Sequence, residues 1–331
     1  MSNWGDSKIG VYSLADIADG AIRTPPPLFS GLLLDNTLTM IAAPPYVGKS
    51  MLLGAMAVSL DSGLPLFGKY APADDKRVLM IAQDAPNYDY AGQLNKLMRG
   101  FGLDVGQRAL LDTRLIMNRG IQVTDKDFFT ELEKQKKDTD FNVLILDAFW
   151  TIHGLNENDQ SQMGIVMARL KKIREDFGCA VIFAHHNRKK FAGEVPDNAN
   201  YSSRGSSAIP DSIDFNISLS RSGTRVKVQL AKCRGSDDEG LLFYDLIDVD
   251  HPEGPALELR AVNLGTTRLG QVLEFVATER VRKDIVAHMT VLYPEMTYAK
   301  ACKAVDNDLR LLRAIRKVES VRHGVWKACM E

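Results

Sequence analysis

From Thr39 to Ser50 the chain reads Thr-Met-Ile-Ala-Ala-Pro-Pro-Tyr-Val-Gly-Lys-Ser, an apolar strand running straight into a small-residue loop that ends in Gly48-Lys49-Ser50. A polyphosphate cradle needs inward backbone N–H groups, a cation for the terminal phosphates, a hydroxyl for magnesium and a helix N-terminus behind them. Each part has a candidate here. The loop Ala43, Pro44, Pro45, Tyr46, Val47 and Gly48 would wrap the phosphates, Lys49 would reach the β- and γ-phosphates, and Ser50 would hold the metal. Met51 to Leu60 reads as the helix whose dipole faces the anion. The stretch departs from G-x-x-x-x-G-K-[ST] at one place, Ala43, where the first glycine is expected. A small residue still makes that turn if its φ stays negative.

After the loop, apolar runs alternate with amphipathic ones. Arg77–Ala82, Arg114–Met117, Asn142–Asp147 and Ala180–Ala184 read as strands. Tyr88–Phe101, Thr124–Lys137 and Ser161–Phe177 read as helices. Continuous apolar strands separated by such helices predict an α/β fold with a mainly parallel sheet covered on both faces. Ligands then bind at the carboxyl ends of the strands. Three ends carry chemistry: Asp147 as a magnesium-holding acid, Gln83-Asp84 as the place for a water-activating group, and His185-His186 as a γ-phosphate sensor or nucleic-acid contact. Paired histidines with no third ligand at sensible spacing do not make a zinc site.

Composition limits the partners. The 331 residues are 45% hydrophobic and 25% charged with a formal net charge of −1, which excludes a chain coated in positive charge. No apolar run reaches the roughly 20 residues of a membrane span. Cys179, Cys233, Cys302 and Cys329 are far apart, without a C-x-x-C, so neither a disulfide framework nor a zinc knuckle is expected. With no signal peptide before residue 20, the cytoplasm is the expected compartment. Residues 1–36 read as an arm, with a short helix over Ser13–Asp19 and then Pro25-Pro26-Pro27, leading into Leu32-Leu33-Leu34. It either covers an edge of the core or bridges subunits.

Residues 187–204 form a polar loop too long for a plain connection. It opens on Arg188, Lys189 and Lys190, closes on Arg204, and includes Phe191 and Tyr201, a mixture suited to single-strand phosphates and base stacking. Beyond it, Asp214–Leu219 and Arg225–Ala231 look like a strand pair whose second member runs into Lys232-Cys-Arg234. Leu241–Asp248 and Ala256–Val262 are further strands.

This order of motifs resembles the RecA-like ATPases of the replicative-helicase branch, the DnaB-type hexameric helicases and the plasmid RepA-type helicases. The carriers are Ala42–Ser50, Leu144–Asp147, Phe183–His186, and Ser203–Ile209 followed by Asp211 and Asp214, and the resemblance covers roughly residues 25–262. It implies a RecA-like P-loop NTPase core over 37–262, ATP and Mg2+ bound between neighbours of a hexamer or filament, and DNA threaded along axial loops. It also implies that Lys232 and Arg234 are the cation pair that reaches a neighbour's ATP site, and that His186 reports the γ-phosphate. In one respect the chain departs from that pattern, because the family's catalytic Glu falls at Gln83. An amide orients a water but accepts no proton. Either Asp84 substitutes or hydrolysis is slow, so an unwinding motor, a DNA clamp or loader, and a nucleotide-gated DNA-binding regulator all remain open.

After a linker at 263–270, the tail from Thr266 to Glu331 carries more Lys and Arg than Asp and Glu. Three helices are expected: Val272–Ala277 with Val281–Val291, then Thr297–Val305, then Asp306–Lys317. A hairpin around His323-Gly324 follows. Three helices and a hairpin make residues 271–331 winged-helix-like, a small α+β domain. Arg310, Arg313, Arg316 and Lys317 would contact phosphates, with Arg322 and His323 on the wing.

Overall fold

The computed structural model describes residues 12–21, 23–186, 206–233, 241–262, 268–294, 296–314, 318–322 and 324–329. In chain order the first elements are α1 (Leu14–Ala18), β1 (Pro27–Phe29), β2 (Leu33–Leu34), β3 (Leu38–Ala43), α2 (Lys49–Ser62), β4 (Val78–Ala82) and α3 (Asn87–Gly100). There follow α4 (Val105–Arg108), β5 (Arg114–Met117), α5 (Lys126–Thr139), β6 (Val143–Asp147), a 3-10 turn (Phe149–Ile152), α6 (Gln160–Phe177) and β7 (Ala180–His186). The remainder is α7 (Ala208–Ser212), β8 (Phe215–Ser222), β9 (Arg225–Cys233), β10 (Leu241–Val249) and β11 (Ala256–Val262). A last group comprises α8 (Arg268–Phe275), β12 (Arg280–Val281), α9 (Arg282–Leu292), α10 (Tyr298–Ala314), β13 (Val318–Arg322) and β14 (Val325–Ala328).

Among the described residues nine strands form one sheet in the order β11-β10-β9-β8-β3-β7-β6-β4-β5. The run from β8 to β5 is parallel, and β9, β10 and β11 extend it antiparallel. β3, β4 and β6 are buried at every position, which is why they read as unbroken apolar runs rather than alternating ones. Odd and even residues supply two cores. Ile41, Met80 and Ile145 face α2 and α3, whereas Met40, Leu79 and Leu144 face α5 and α6.

Helix α2 is apolar all round, with Leu52, Leu53, Met56, Val58 and Leu60 all buried, because it is sandwiched between sheet and α3. The far end of α3 runs against β11 so closely that a Cβ at Gly100 would lie 1.9 Å from the Leu257 carbonyl oxygen. Only glycine allows that approach.

The N-terminal arm lies on the core. β1 and β2 pair as a small antiparallel unit, and Leu28, Phe29, Leu32 and Leu33 belong to the core on the α2 side. Of the two roles expected for it, covering the core is the one seen, and the chain bends back at Gly31 instead of running extended.

In the tail the helices divide differently from expectation. The first apolar stretch is cut by β12 into α8 and α9, and the residues from Tyr298 to Ala314 form one helix where two were expected. No glycine or proline interrupts that span. Asp306 starts nothing, because its carboxylate receives both Nε (2.5 Å) and Nη2 (2.7 Å) of Arg282. Val272, Ile285, Met289, Val305 and Leu309 make a separate small core, with Phe243 of β10 packed against it. β12, β14 and β13 form a three-stranded sheet in that order.

Candidate active site

Parallel pairing aligns the carboxyl ends of β3, β4, β6 and β7. Ala43 pairs with His186, and Ala82 with Asp147, so the residues that follow or end these strands share one edge of the sheet. Ala43 keeps a negative φ as the last residue of β3, so the missing glycine is tolerated there. Positive φ occurs instead at Tyr46 (63°) and Gly48 (110°). A bulky residue in that region costs roughly 1–2 kcal/mol, and Tyr46 is nonetheless 98% exposed. Pro44 and Pro45 are exposed beside it, while Val47 is buried and Met51 half-buried.

Lys49 opens α2 and is itself buried. Its Nζ donates to the carbonyls of Ala43 (3.0 Å) and Pro44 (3.1 Å) and lies 3.3 Å from His186 Nδ1. Burial pulls its pKa down, and the charges of Asp147 and Asp84 oppose that. Asp147 is buried as well, and burial pushes its carboxyl pKa up against the hydroxyls of Ser50 and Tyr90. Oδ2 accepts from Tyr90 Oη at 2.9 Å, while the buried Oδ1 has no hydrogen-bond partner. A buried, unpaired carboxylate oxygen beside a serine hydroxyl is the donor pair that suits a hard divalent cation. Among the described residues no group of three or more His, Cys, Asp or Glu could hold a metal, so phosphate or water oxygens would complete such a sphere.

Gln83 and Asp84 part company. The Gln83 amide is committed to backbone: Oε1 accepts from Ile121 N at 3.0 Å, and Nε2 donates to the carbonyls of Ile121 (3.0 Å) and Thr151 (3.4 Å). Asp84 is exposed, and its Oδ1 accepts from Trp150 Nε1 at 3.1 Å. Strand alternation also separates the two histidines. His186 is beside Lys49, whereas His185 is buried beneath Phe149, 3.8 Å from Glu157.

The structure thus brings Lys49, Ser50, Asp147, Asp84 and His186 to one place. It also adds two residues that sequence reasoning missed, Tyr90 and Trp150. Lys232 lies opposite Asn216, level with Met40 and three residues short of Ala43, about 10 Å along the strand. Arg310 and Arg313 are exposed on α10, with Lys303 and Lys300 also exposed there. Arg322 is in β13. Arg188, Lys189, Lys190, Arg204, Arg234, Arg316, Lys317 and His323 lie outside the described residues.

The model of the AAA domain family matches residues 10–192, more than half of the chain. The chain belongs to the AAA domain family. The match spans β3, the phosphate loop, β4 with Gln83 and Asp84, β6 with Asp147, and His186. Among solved structures this AAA domain chain is similar to the ATPase domain of a DnaB-like helicase, with a TM-score of 0.51 and 17% identity over 70% of this chain and 91% of that one. At that identity the likeness concerns the fold, and it agrees with a RecA-like P-loop core on a mainly parallel sheet. No helix among the described residues is long and apolar enough to cross a membrane.

Proposed function

We propose that this AAA domain protein is a DnaB-type ATPase that hydrolyses ATP with Mg2+ and acts on DNA, working as a homohexamer. The observation that carries the reading is the buried Asp147 Oδ1, unpaired beside Ser50 and within the field of Lys49. Lys49 would exchange its loop carbonyls and His186 for phosphate oxygens, and His186, released from the ammonium, would register the terminal phosphate. Magnesium held by Ser50 and Asp147 would neutralise charge on the phosphate oxygens. Asp84, an exposed carboxylate at the end of β4, would accept the proton of the attacking water.

Lys232 and Arg234 would complete the site of an adjacent copy, since Lys232 is set back from its own phosphate loop. The tail from 271 to 331 would be a winged-helix domain. Its order of helix, short strand, two helices and hairpin, with β12 pairing β14, supports this. The exposed Lys300, Lys303, Arg310 and Arg313 on α10 would meet phosphates. Arg188, Lys189, Lys190 and Arg204 would contact single-stranded DNA.

A second reading has its own support. With the Gln83 amide held by backbone, slow turnover would make the nucleotide a switch for DNA binding rather than a fuel. Anisotropy of a labelled single strand, read with sedimentation velocity and a non-hydrolysable ATP analogue, tests the common part. Analogue-dependent DNA binding by an oligomer supports both readings, and no DNA binding in any nucleotide state removes both.

A further inference from the structure

Trp150 sits on the 3-10 turn just after the Asp147 strand end, and its neighbours Phe149 and Ile152 on that turn are fully buried. Its own side chain is 51% exposed. An aromatic ring left half in solvent contributes less burial than the site offers its neighbours, so packing alone does not account for it. What the ring does make is a directed contact: Nε1–H donates to Asp84 Oδ1 across 66 residues of sequence. Indole is a donor only, so it can bind the carboxylate and nothing else in that direction.

Asp84 needs such a restraint. It is exposed on the turn between β4 and α3, where a free carboxylate would sample several rotamers at little cost. Its charge is nevertheless felt by Lys49, Tyr90 and Asp147, which places it within electrostatic reach of the phosphate-binding cation. Gln83 offers no substitute, because its amide is tied to Ile121 on both sides.

We propose that Trp150 is the positioning residue for Asp84: the indole N–H fixes one carboxylate oxygen so that the other is presented to the attacking water. This rests on the hydrolytic reading above. The step balances without a further reactant. The water oxygen bonds to the γ-phosphorus as its proton passes to Asp84, the bond from that phosphorus to the β,γ-bridging oxygen breaks, and its electron pair leaves with ADP. Asp84, being exposed, returns the proton to solvent.

The test is a double-substitution cycle in the full chain with Trp150→Phe and Asp84→Ala. Trp150→Phe keeps the aromatic ring and removes the N–H. Its kcat is expected to fall about 10- to 100-fold from a misplaced base, while KM for ATP stays within about twofold. In the Asp84→Ala background the same change is expected to leave kcat unaltered, because the indole acts only through that carboxylate. Trp150→His, which retains a ring N–H, is expected to recover part of the loss. Without nucleotide, the Trp150 emission, isolated by subtracting the Trp150→Phe spectrum, is expected to shift in Asp84→Ala.

An equal drop in kcat in both backgrounds, or an unchanged kcat in Trp150→Phe, overturns the proposal. An emission that ignores Asp84 overturns the contact itself. Wild-type protein without turnover overturns the hydrolytic reading and this role with it, and the emission arm then shows whether the contact survives.

Discussion

The hydroxyl of Tyr90 donates to Asp147 Oδ2 at 2.9 Å, and both side chains are buried, at 2% and 1% exposure. The bond joins the first turn of α3 to the end of β6 and leaves the other carboxylate oxygen for a metal. Burial pushes the Tyr90 phenol far up, so it remains a donor at any working pH.

Removing that donor isolates a buried carboxylate oxygen. Tyr90→Phe is therefore expected to lower stability by about 1–3 kcal/mol, measured by urea denaturation of nucleotide-free protein. A midpoint and slope equal to wild type would show that the bond contributes nothing.

Two glycines of α3 make opposite predictions. At Gly100 a methyl group would collide with the Leu257 carbonyl, so Gly100→Ala is expected to cost about 1–3 kcal/mol through overpacking. At Gly92 an added Cβ meets nothing within 4 Å, and Gly92→Ala should gain up to about 1 kcal/mol of helix propensity. Thermal midpoints moving the same way in both variants would contradict the close packing of α3 on β11.

Acid should weaken the antiparallel edge of the sheet. Asp245 takes two hydrogen bonds from Arg225, at 2.9 and 2.8 Å, and these, with the guanidinium charge, hold its carboxyl below the usual range. A depressed carboxylate contributes stability that is fully present above its unfolded value, near 3.9, and is lost as pH falls through the folded one. Between about pH 5 and 3 the wild type is expected to lose more stability than Asp245→Asn. At neutral pH that variant should be less stable by at most about 1 kcal/mol, since the pair is partly solvated. Parallel pH curves for the two proteins would contradict the pairing.

Much of this was legible in the sequence. The parallel strands announce themselves because burial on both faces leaves no polar position, as in Val78–Ala82 and Val143–Asp147, and strand-end chemistry follows from topology. Lys49, Ser50 and Asp147 were recoverable for that reason. Tyr90 and Trp150 were not, since their roles depend on contacts across 57 and 66 residues that no local pattern encodes. The spacing of Gln83 and Asp84 was visible, but the capture of the Gln83 amide by the Ile121 backbone was not. In the tail, apolar periodicity located helices but not their ends. Asp306 resembled a helix start only because its partner, Arg282, lies on another helix.

Steady-state ATP hydrolysis by the full chain, with and without magnesium and single-stranded DNA, beside Lys49→Ala and Asp84→Ala, tests the account most directly. The predicted result is magnesium-dependent turnover that DNA accelerates and that each substitution lowers by about 100-fold or more. Wild-type protein that binds ATP without turning it over, or turnover that survives Lys49→Ala, would contradict it.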